Sequence, residues 1–349
     1  MRFASDNSGP VHPKIMEALA AANQGWAMPY GNDNLTRRAV DKVRAAFEAP
    51  DAAVYFVATG TAANALALAT LAQPYDMILC TPEAHIHEDE CNGPEFYTGG
   101  AKLALIESDN ALMNPQALDK EMKKRGSWGV HGPQLGPVSI TQVTERGTLY
   151  PLDHIREIAD VARSHGSLVH LDGARFANAC AALDCSPAEM TWKLGVDAVS
   201  FGGTKNGCMG VEAVILFDPA RAWEFELRRK RGAHLFSKSR FLGAQMDAYM
   251  TDNLWLDLAV KSNDAAANLA QHLRKIDGIS FLFEPLANML FPVLSRAAHR
   301  RLHDAGAMYY LWDGFLDGDP QAAVGARLVV DWSCEQVNID RFVSLVKGG

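Results

Sequence analysis

The most constraining feature of the chain is a regular alternation of short apolar segments with helical patterns between about residues 50 and 217. The apolar segments are short and rich in β-branched residues, so we expect each to form a buried strand. Strands that alternate with helices predict crossover connections and a mostly parallel sheet flanked by helices, an α/β fold. The expected strands are AVYFVA, MILC, KLALI, VSITQV, SLVHLD, DAVSF and EAVILF.

One connecting segment shows the helical pattern clearly. DHIREIADVARSH places Ile155, Ile158, Ala159 and Ala162 at helical spacing, which predicts an apolar stripe lying on the sheet. Beyond residue 217 the chain becomes mainly helical and then returns to the short apolar runs ISFLF, NMLFPVL and ARLVVDW. This change predicts a second, smaller α+β domain.

Composition limits the class of protein. With 349 residues, 48% of them hydrophobic, the chain is long enough for a sizeable core in two domains. A formal charge of −8 disfavours non-specific nucleic-acid binding. The six cysteines form no CxxC pair, which fits a reducing cytoplasm. We find no secretory signal and no apolar run near the roughly 18 residues of a membrane span, so we expect neither export nor insertion.

A phosphate-binding turn is the first candidate functional element. The strand VYFVA runs into Thr59, Gly60 and Thr61 and then into a helix rich in alanine and leucine. Small residues let an anion approach the backbone N–H groups at a helix start. The plain alternative is a strand-to-helix turn with a threonine cap. Neither GxxxxGK[ST] nor GxGxxG is present, so the sequence does not indicate a nucleotide-binding site here.

A carboxylate and an amine follow two other predicted strands. Asp172 closes the run SLVHLD, and Lys205 lies on the glycine-rich turn after DAVSF. A lysine amine forms an imine with an aldehyde, and an acid can hold the pyridine nitrogen of pyridoxal 5′-phosphate (PLP) in its protonated form. Taken alone, Asp172 could be a helix cap and Lys205 could be a surface residue in a loop. However, one strand-helix-strand excursion separates them, so both could reach one ligand.

A dense group of polar residues lies in PEAHIHEDECNGPEF. It contains His85, His87, Glu88, Asp89 and Glu90, which suit either a metal site or acid–base chemistry. Since no pattern fixes three ligands, we favour acid–base chemistry and expect no metal.

Arginines in two places could bind anions. Arg327 precedes a late apolar run, and a guanidinium can hold a substrate carboxylate through two parallel hydrogen bonds. The run of residues 228–231, RRKR, is either a solvated helix end or an anion site.

Taken in order, six segments closely resemble the low-specificity L-threonine aldolases, within them the branch that includes phenylserine aldolase. The resemblance covers nearly the whole chain. It implies the PLP-dependent aspartate aminotransferase-like fold (fold type I), a homotetramer built from dimers, and active sites at a subunit interface. We expect an N-terminal segment of residues 1–30 contributing to site and interface, a large PLP-binding domain of residues 31–250 and a small domain of residues 251–349. The six segments are YGNDNLT, ATGTAAN, EAHIHEDE, LVHLDGARFANA, SFGGTKNG and RRKRGAHLFSKSRF.

The resemblance also implies a role for each matching residue. Lys205 would be the Schiff-base lysine, Asp172 the partner of the pyridine nitrogen, and Gly60 with Thr61 the phosphate cup. His85 would stack on the cofactor ring and help to manage the substrate hydroxyl. The expected catalytic residues are Lys205, His85, Asp172 and Glu90.

Further positions match residues that contact substrate or cofactor. Ser5, Arg175 and Arg327 would hold the substrate carboxylate, with Arg175 also counted among the cofactor contacts. Tyr30 resembles a residue contributed across the subunit interface. Lys230, in the RRKR run, would reach the cofactor phosphate.

The chain departs from the family pattern at one position. Many threonine aldolases carry a second histidine near the substrate hydroxyl, in a segment resembling NTHNG, whereas this chain reads QVTERG and has Glu145 there. The identity of the base and the threo or erythro preference therefore stay open.

The resemblance implies cleavage of L-threonine, L-allo-threonine or another β-hydroxy amino acid such as phenylserine to glycine and an aldehyde. His85, acting directly or through water, is the expected base. One alternative is another enzyme of the same fold, either a β-eliminating lyase or an aminotransferase. Two others are a metal-dependent aldolase or hydrolase built on His85, His87 and Glu90, and a non-catalytic α/β module with a phosphate cup.

Overall fold

The computed structural model describes residues 1–348, which form a large α/β part and a smaller α+β part. The strands are β1 Ala53–Val57, β2 Asp76–Cys80, β3 Lys102–Leu105, β4 Ser108–Asp109, β5 Leu112–Met113, β6 Gln134–Thr141, β7 Val169–Gly173, β8 Ala198–Gly202, β9 Glu212–Leu216, β10 Ser280–Phe281, β11 Met289–Leu290, β12 Pro292–Ser295, β13 Tyr310–Leu311 and β14 Ala323–Val329. The α-helices are α1 Pro13–Ala22, α2 Asn34–Ala46, α3 Gly60–Leu71, α4 His85–Glu88, α5 Gly93–Thr98, α6 Pro115–Gly126, α7 Leu152–Ser164, α8 Phe176–Leu183, α9 Ala222–Arg231, α10 Arg240–Tyr249, α11 Leu254–Leu273, α12 Arg296–Asp304 and α13 Gln336–Lys347.

The large sheet has seven strands in the order β1-β9-β8-β7-β6-β2-β3. These are the seven strands expected from the apolar runs, although β6 begins at Gln134, four residues before the run VSITQV. Neighbouring strands are parallel except at β9, which is antiparallel to both β1 and β8. The prediction of a mostly parallel sheet is confirmed. This order brings the carboxyl ends of β6, β7 and β8 side by side.

Helices cover the sheet with their apolar residues. In α7, Ile155, Ile158, Ala159 and Ala162 are all buried, as their spacing predicts. In α3, nearly every residue is buried, because the helix lies between the sheet and the helices α5 and α9. Small alanine side chains permit this close packing on all sides.

The smaller part is built on an antiparallel sheet in the order β10-β12-β14-β11, with β13 also paired to β14. The three late apolar runs supply β10, β11, β12 and β14. The helices α12 and α13 pack with this sheet around a core of their own, which contains Leu302 and Phe342. The expectation of a smaller C-terminal α+β unit is confirmed.

The helix α11 belongs to both cores. Trp255 and Leu258 near its start pack in the large core, whereas Leu269 and Leu273 near its end pack in the small one. Phe3 also packs in the small core, so the first residues of the chain lie with the last. We propose the division into residues 1–30, 31–250 and 251–349, with α11 shared between the two cores. Among residues 1–348, no helix is both long and apolar enough to cross a bilayer.

Phe201 in β8 provides a test of the large core. Its fully buried ring packs against four other aromatic rings, so Phe201→Ala should lower the free energy of unfolding by about 3–5 kcal/mol. The four rings belong to Phe47, Phe176, Tyr249 and Trp255. Urea unfolding of the cofactor-free protein measures the change. Phe315→Ala is the control, since that side chain is exposed, and an equal loss in both variants would contradict this packing.

Candidate active site

One cavity of about 280 Å³ lies where the carboxyl ends of β6, β7 and β8 meet the start of α3. Seven of the residues expected to form a site line it: Gly60, Thr61, His85, Glu90, Asp172, Arg175 and Lys205. The other lining residues are Asn7, Ala58, Thr59, Asn64, Thr141, Val143, Glu145, Ala174, Thr204 and Glu212. Segments distant in the sequence therefore meet around one space, as the topology of a parallel sheet predicts.

Lys205 is held on a tight turn of residues 204–206 between β8 and β9. The following residue, Gly207, has φ of 100°, a conformation that favours glycine. Burial lowers the pKa of the Lys205 amine, and the nearby charge of Arg175 acts in the same direction. The amine can therefore lose its proton and act as a nucleophile more easily than a surface lysine.

Asp172 is buried near the end of β7, where it accepts two hydrogen bonds. Its Oδ2 accepts from Nδ2 of Asn64 at 2.8 Å, and its Oδ1 accepts from the backbone N–H of Ala174 at 3.0 Å. The same Asn64 nitrogen donates to Oε1 of Glu90 at 2.9 Å. One amide thus joins two buried carboxylates and fixes both in the cavity wall.

His85 is linked to the same network. Its Nδ1 lies 2.9 Å from Oε1 of Glu90, so the ring donates its Nδ1 proton to that carboxylate. The hydrogen bond to Glu90 raises the pKa of His85. The contact occupies Nδ1 and leaves Nε2 as the ring nitrogen that can meet a ligand.

The start of α3 can accept an anion. Thr59 caps the helix by accepting a hydrogen bond from the backbone N–H of Ala62 at 3.2 Å. Gly60 and Thr61 occupy the first turn, where backbone N–H groups have no acceptor within the helix. Apart from its chain neighbours and the backbone of its own helix, no atom lies within 4 Å of the position that a Cβ of Gly60 would occupy, so the backbone there is open to a ligand.

Polar atoms without partners indicate that the cavity is built for a polar ligand. Within residues 1–348, Oδ1 of Asn64, Oε2 of Glu90 and Oε2 of Glu145 are buried and make no hydrogen bond. Such atoms are costly unless something satisfies them. The residues present fit PLP, with Lys205 to bind its aldehyde carbon, Asp172 to pair with its pyridine nitrogen and the α3 start to receive its phosphate.

Arg175 is held by a buried ion pair with Asp6. Its Nε and Nη2 donate to the two carboxylate oxygens of Asp6 at 2.7 and 2.9 Å, and Asn288 donates to the same carboxylate at 3.2 Å. Burial, the largest single influence, opposes ionisation of Asp6, but the charges of Arg175 and Lys205 and the hydrogen bonds from Arg175 and Asn288 together outweigh it, so the pKa of Asp6 is lowered. The pair fixes the guanidinium at the cavity edge.

Four expected site residues do not line the cavity. Ser5 caps the turn of residues 6–8 by accepting from the backbone N–H of Asn7 at 3.1 Å. Arg327 donates to the carbonyl of Ala4 at 3.4 Å, and burial together with nearby Arg175 lowers its pKa. The other two, Tyr30 and Lys230, are both exposed, with Nζ of Lys230 5.2 Å from the centre of the Tyr30 ring.

The remaining polar residues of the segment around His85 point elsewhere. His87, Glu88 and Asp89 are exposed, and Nδ1 of His87 lies 3.0 Å from Oε1 of Glu88. In the described part of the chain, no group of three or more histidine, cysteine or acidic residues is arranged to hold a metal ion.

Sequence reasoning missed three polar residues that shape the site. Asn64 lies within the mainly apolar helix α3, and Glu212 begins the otherwise apolar strand β9; a polar residue in such a segment is the signal that could have found them. Glu212 accepts from the backbone N–H of Gly203 at 3.0 Å and so holds the turn that carries Lys205, while burial raises its pKa to about 7. Asp6 gives no such signal, because its partner lies in a distant segment.

Removal of the Asn64 amide tests the network. Asn64→Ala leaves Asp172 and Glu90 without their shared donor, so the cofactor-free protein should lose about 1–3 kcal/mol of stability. Urea unfolding at neutral pH measures this loss. Asn23→Ala, at the exposed end of α1, is the control and should change stability by no more than about 0.5 kcal/mol. Wild-type stability of Asn64→Ala would show that the amide is dispensable.

Comparisons with known proteins relate this chain to β-eliminating lyases and threonine aldolases. The family model described as Beta-eliminating lyase matches residues 2–294. The chain is 40% identical to a low specificity L-threonine aldolase of Pseudomonas aeruginosa, over 96% of this chain and 93% of that protein. It is 38% identical to a second one from a Pseudomonas species, over 97% of this chain and 94% of that protein.

A solved structure of a threonine aldolase from Leishmania major superposes with a TM-score of 0.92 at 28% identity, covering 99% of this chain and 98% of that one. The fold is thus that of the fold-type-I PLP enzymes, as the resemblance implied. The chain belongs to the β-eliminating lyase family and, within it, to the low-specificity L-threonine aldolases, which are PLP-dependent carbon–carbon lyases.

Proposed function

We propose that the protein cleaves L-threonine, L-allo-threonine or another β-hydroxy-α-amino acid, such as phenylserine, to glycine and an aldehyde. The observation that carries the proposal is the meeting of Lys205, Asp172, His85 and the start of α3 around one cavity. The names of the Pseudomonas relatives and of the Leishmania structure support the substrate class.

The proposed roles follow from the chemistry of each side chain. Bound PLP supplies an electron sink that weakens the bonds at Cα of the substrate. Lys205 offers an amine of lowered pKa to the cofactor aldehyde, and Asp172 keeps the pyridine nitrogen protonated. The N–H groups of Gly60 and Thr61 hold the phosphate. His85, fixed by Glu90, stacks on the ring and keeps a proton close to the substrate.

We propose that Arg175, together with Ser5 and Arg327, binds the substrate carboxylate. Asp6 engages Nε and Nη2 of Arg175, which orients the guanidinium and leaves Nη1 to donate to a carboxylate in the cavity. The partial burial of Arg327 near Arg175 and Asp6 supports a second cation at the same place. Two arginines around one anion would favour amino acids over simple alcohols.

A homo-oligomer, a tetramer built from dimers, is the assembly we propose, with Tyr30 and Lys230 reaching a neighbouring subunit's cofactor site. Support comes from the exposed apolar residues beside Tyr30: Trp26 is fully exposed and Met28 is 65% exposed, which is unusual for a monomer surface.

We propose a cytoplasmic location, which the six free cysteines support. The small-molecule substrate is the only other partner we propose, with no nucleic acid or membrane.

A second candidate is β-elimination, which the family description favours. Incubation of the PLP-loaded protein with L-threonine separates the two reactions. Aldol cleavage releases glycine and acetaldehyde, whereas elimination releases a keto acid and ammonia. Formation of the keto acid in place of glycine would overturn the proposed function.

Replacement of Lys205 tests the cofactor assignment. Lys205→Ala removes the only amine among the cavity-lining residues, so the variant should lose the visible absorbance of bound PLP and nearly all turnover. Absorbance spectra and glycine release measure the two effects. Lys193→Ala, which removes a lysine paired with Glu48 at the surface, should retain both. Full activity in Lys205→Ala would rule the assignment out.

Replacement of His85 separates chemistry from cofactor binding. His85→Asn should lower kcat by about 100-fold while PLP affinity changes less, because the imidazole acts on protons near the substrate. Equilibrium dialysis and steady-state kinetics measure the two quantities. His87→Asn is the matched control, since that residue is exposed in the same helix. Cofactor loss with unchanged turnover after reconstitution would instead make stacking the main role of His85.

A further inference from the structure

Glu145 is a buried carboxyl group in the cavity wall that the proposed roles leave without a function. It follows β6, and its side chain lines the cavity together with His85, Asp172 and Lys205. Its Oε1 accepts a hydrogen bond from the backbone N–H of His85 at 2.7 Å. Its Oε2 is buried and makes no hydrogen bond to any residue in the described part of the chain. One oxygen therefore fixes the group, and the other is free to meet a substrate.

His85 is less suited to accept a proton. Its Nδ1 donates to Glu90, and this hydrogen bond raises the pKa of His85, with the charge of Asp172 acting in the same direction, against burial and the charge of Lys205. When this ring carries its second proton, on Nε2, it has no lone pair for a further one. His85 is thus arranged to hold a proton, whereas Glu145 has an unoccupied acceptor oxygen in the same cavity.

The charged groups around Glu145 leave its carboxyl group uncompensated. From α4 it accepts the backbone N–H of His85, and from β7 it faces the like charge of Asp172; Cys80 of β2 and Tyr150 are further titratable groups beside it. The adjacent cation, Arg146, is paired with Glu83 at 2.9 Å. Burial is the main cause that raises the pKa of Glu145 to about 7; the charge of Asp172 acts in the same direction, and the backbone N–H groups and the side chain of Thr141 act against it. The carboxyl group can therefore exchange a proton near neutral pH.

We propose that Glu145, rather than His85, accepts the proton of the substrate β-hydroxyl group during Cα–Cβ cleavage. This inference rests on the proposed aldolase function. The proton passes from the β-oxygen to Oε2 of Glu145, the C–O bond becomes the aldehyde C=O, and the Cα–Cβ bond breaks with its electron pair left at Cα. A proton then joins Cα to complete glycine, and Glu145 releases the one it took, so that protons balance.

The kinetic test uses Glu145→Gln in the PLP-loaded enzyme. Glutamine can still accept from the backbone N–H of His85 but is not a base, so kcat for L-threonine should fall by about 100-fold or more. Wild-type activity should decline as the pH falls below about 7, where Glu145 becomes protonated, and the variant should lack this decline. Glu145→His, which restores a proton acceptor, should recover part of the turnover. Glu83→Gln, a nearby carboxyl group outside the cavity, should behave as wild type.

A second readout needs neither cofactor nor turnover. Because burial raises the pKa of Glu145, the folded state favours the protonated form, and the associated stability is lost as the pH rises through about 7. Glutamine does not ionise, so Glu145→Gln should raise the Tm of the cofactor-free protein, by more at about pH 8 than at about pH 5. A purely structural carboxylate would give a loss of Tm in the variant.

The outcomes separate this inference from the function on which it rests. Absence of glycine release by the wild type from every β-hydroxy amino acid tested would defeat both. An active wild type together with a Glu145→Gln variant of unchanged kcat and pH profile would overturn only the role of Glu145. A variant that loses turnover but destabilises the cofactor-free protein at all pH values would also overturn it.

Discussion

The nitrogen Nδ2 of Asn64 supports the whole site, because it donates to two carboxylates that would otherwise repel each other. It connects Asp172 on β7 to Glu90 and, through Glu90, to His85. Two buried carboxylates without a shared donor would be a strong source of instability. With the donor in place, both are fixed, Glu90 against the imidazole of His85 and Asp172 where the proposed function needs a negative partner for a pyridine nitrogen.

Burial in the cavity shifts the pKa values of several groups toward neutrality, the amine from above and the carboxyl groups from below. Burial lowers the pKa of Lys205, whose charged form is cationic, and raises the pKa values of Glu145 and Glu212, whose charged forms are anionic, to about 7. The two carboxyl groups thereby come close to the range in which proton transfer is easy, and the amine of Lys205 is shifted in the same sense. The same desolvation that costs stability gives the site its reactivity.

The sequence predicted those features that depend on local pattern. Each strand of the large sheet is built on a short, mainly apolar run, and Asp172 and Lys205 are recognisable because each comes at or just after the end of such a run. Contacts between distant segments were not predictable in this way. Asn64 meets Asp172 across 108 positions and Arg175 meets Asp6 across 169, and no local spacing encodes either pair. Similarly, periodicity identifies α11 as a helix but not the two cores in which its ends are buried.

All of the proposed chemistry depends on the amine of Lys205 carrying the cofactor. Borohydride reduction of the PLP-loaded protein converts a C=N bond to a stable amine, and mass spectrometry after proteolysis locates the modified residue. We expect a pyridoxyl group on the peptide that contains Lys205 and on no other peptide. A modified lysine elsewhere in the chain, with the Lys205 peptide unchanged, would contradict it.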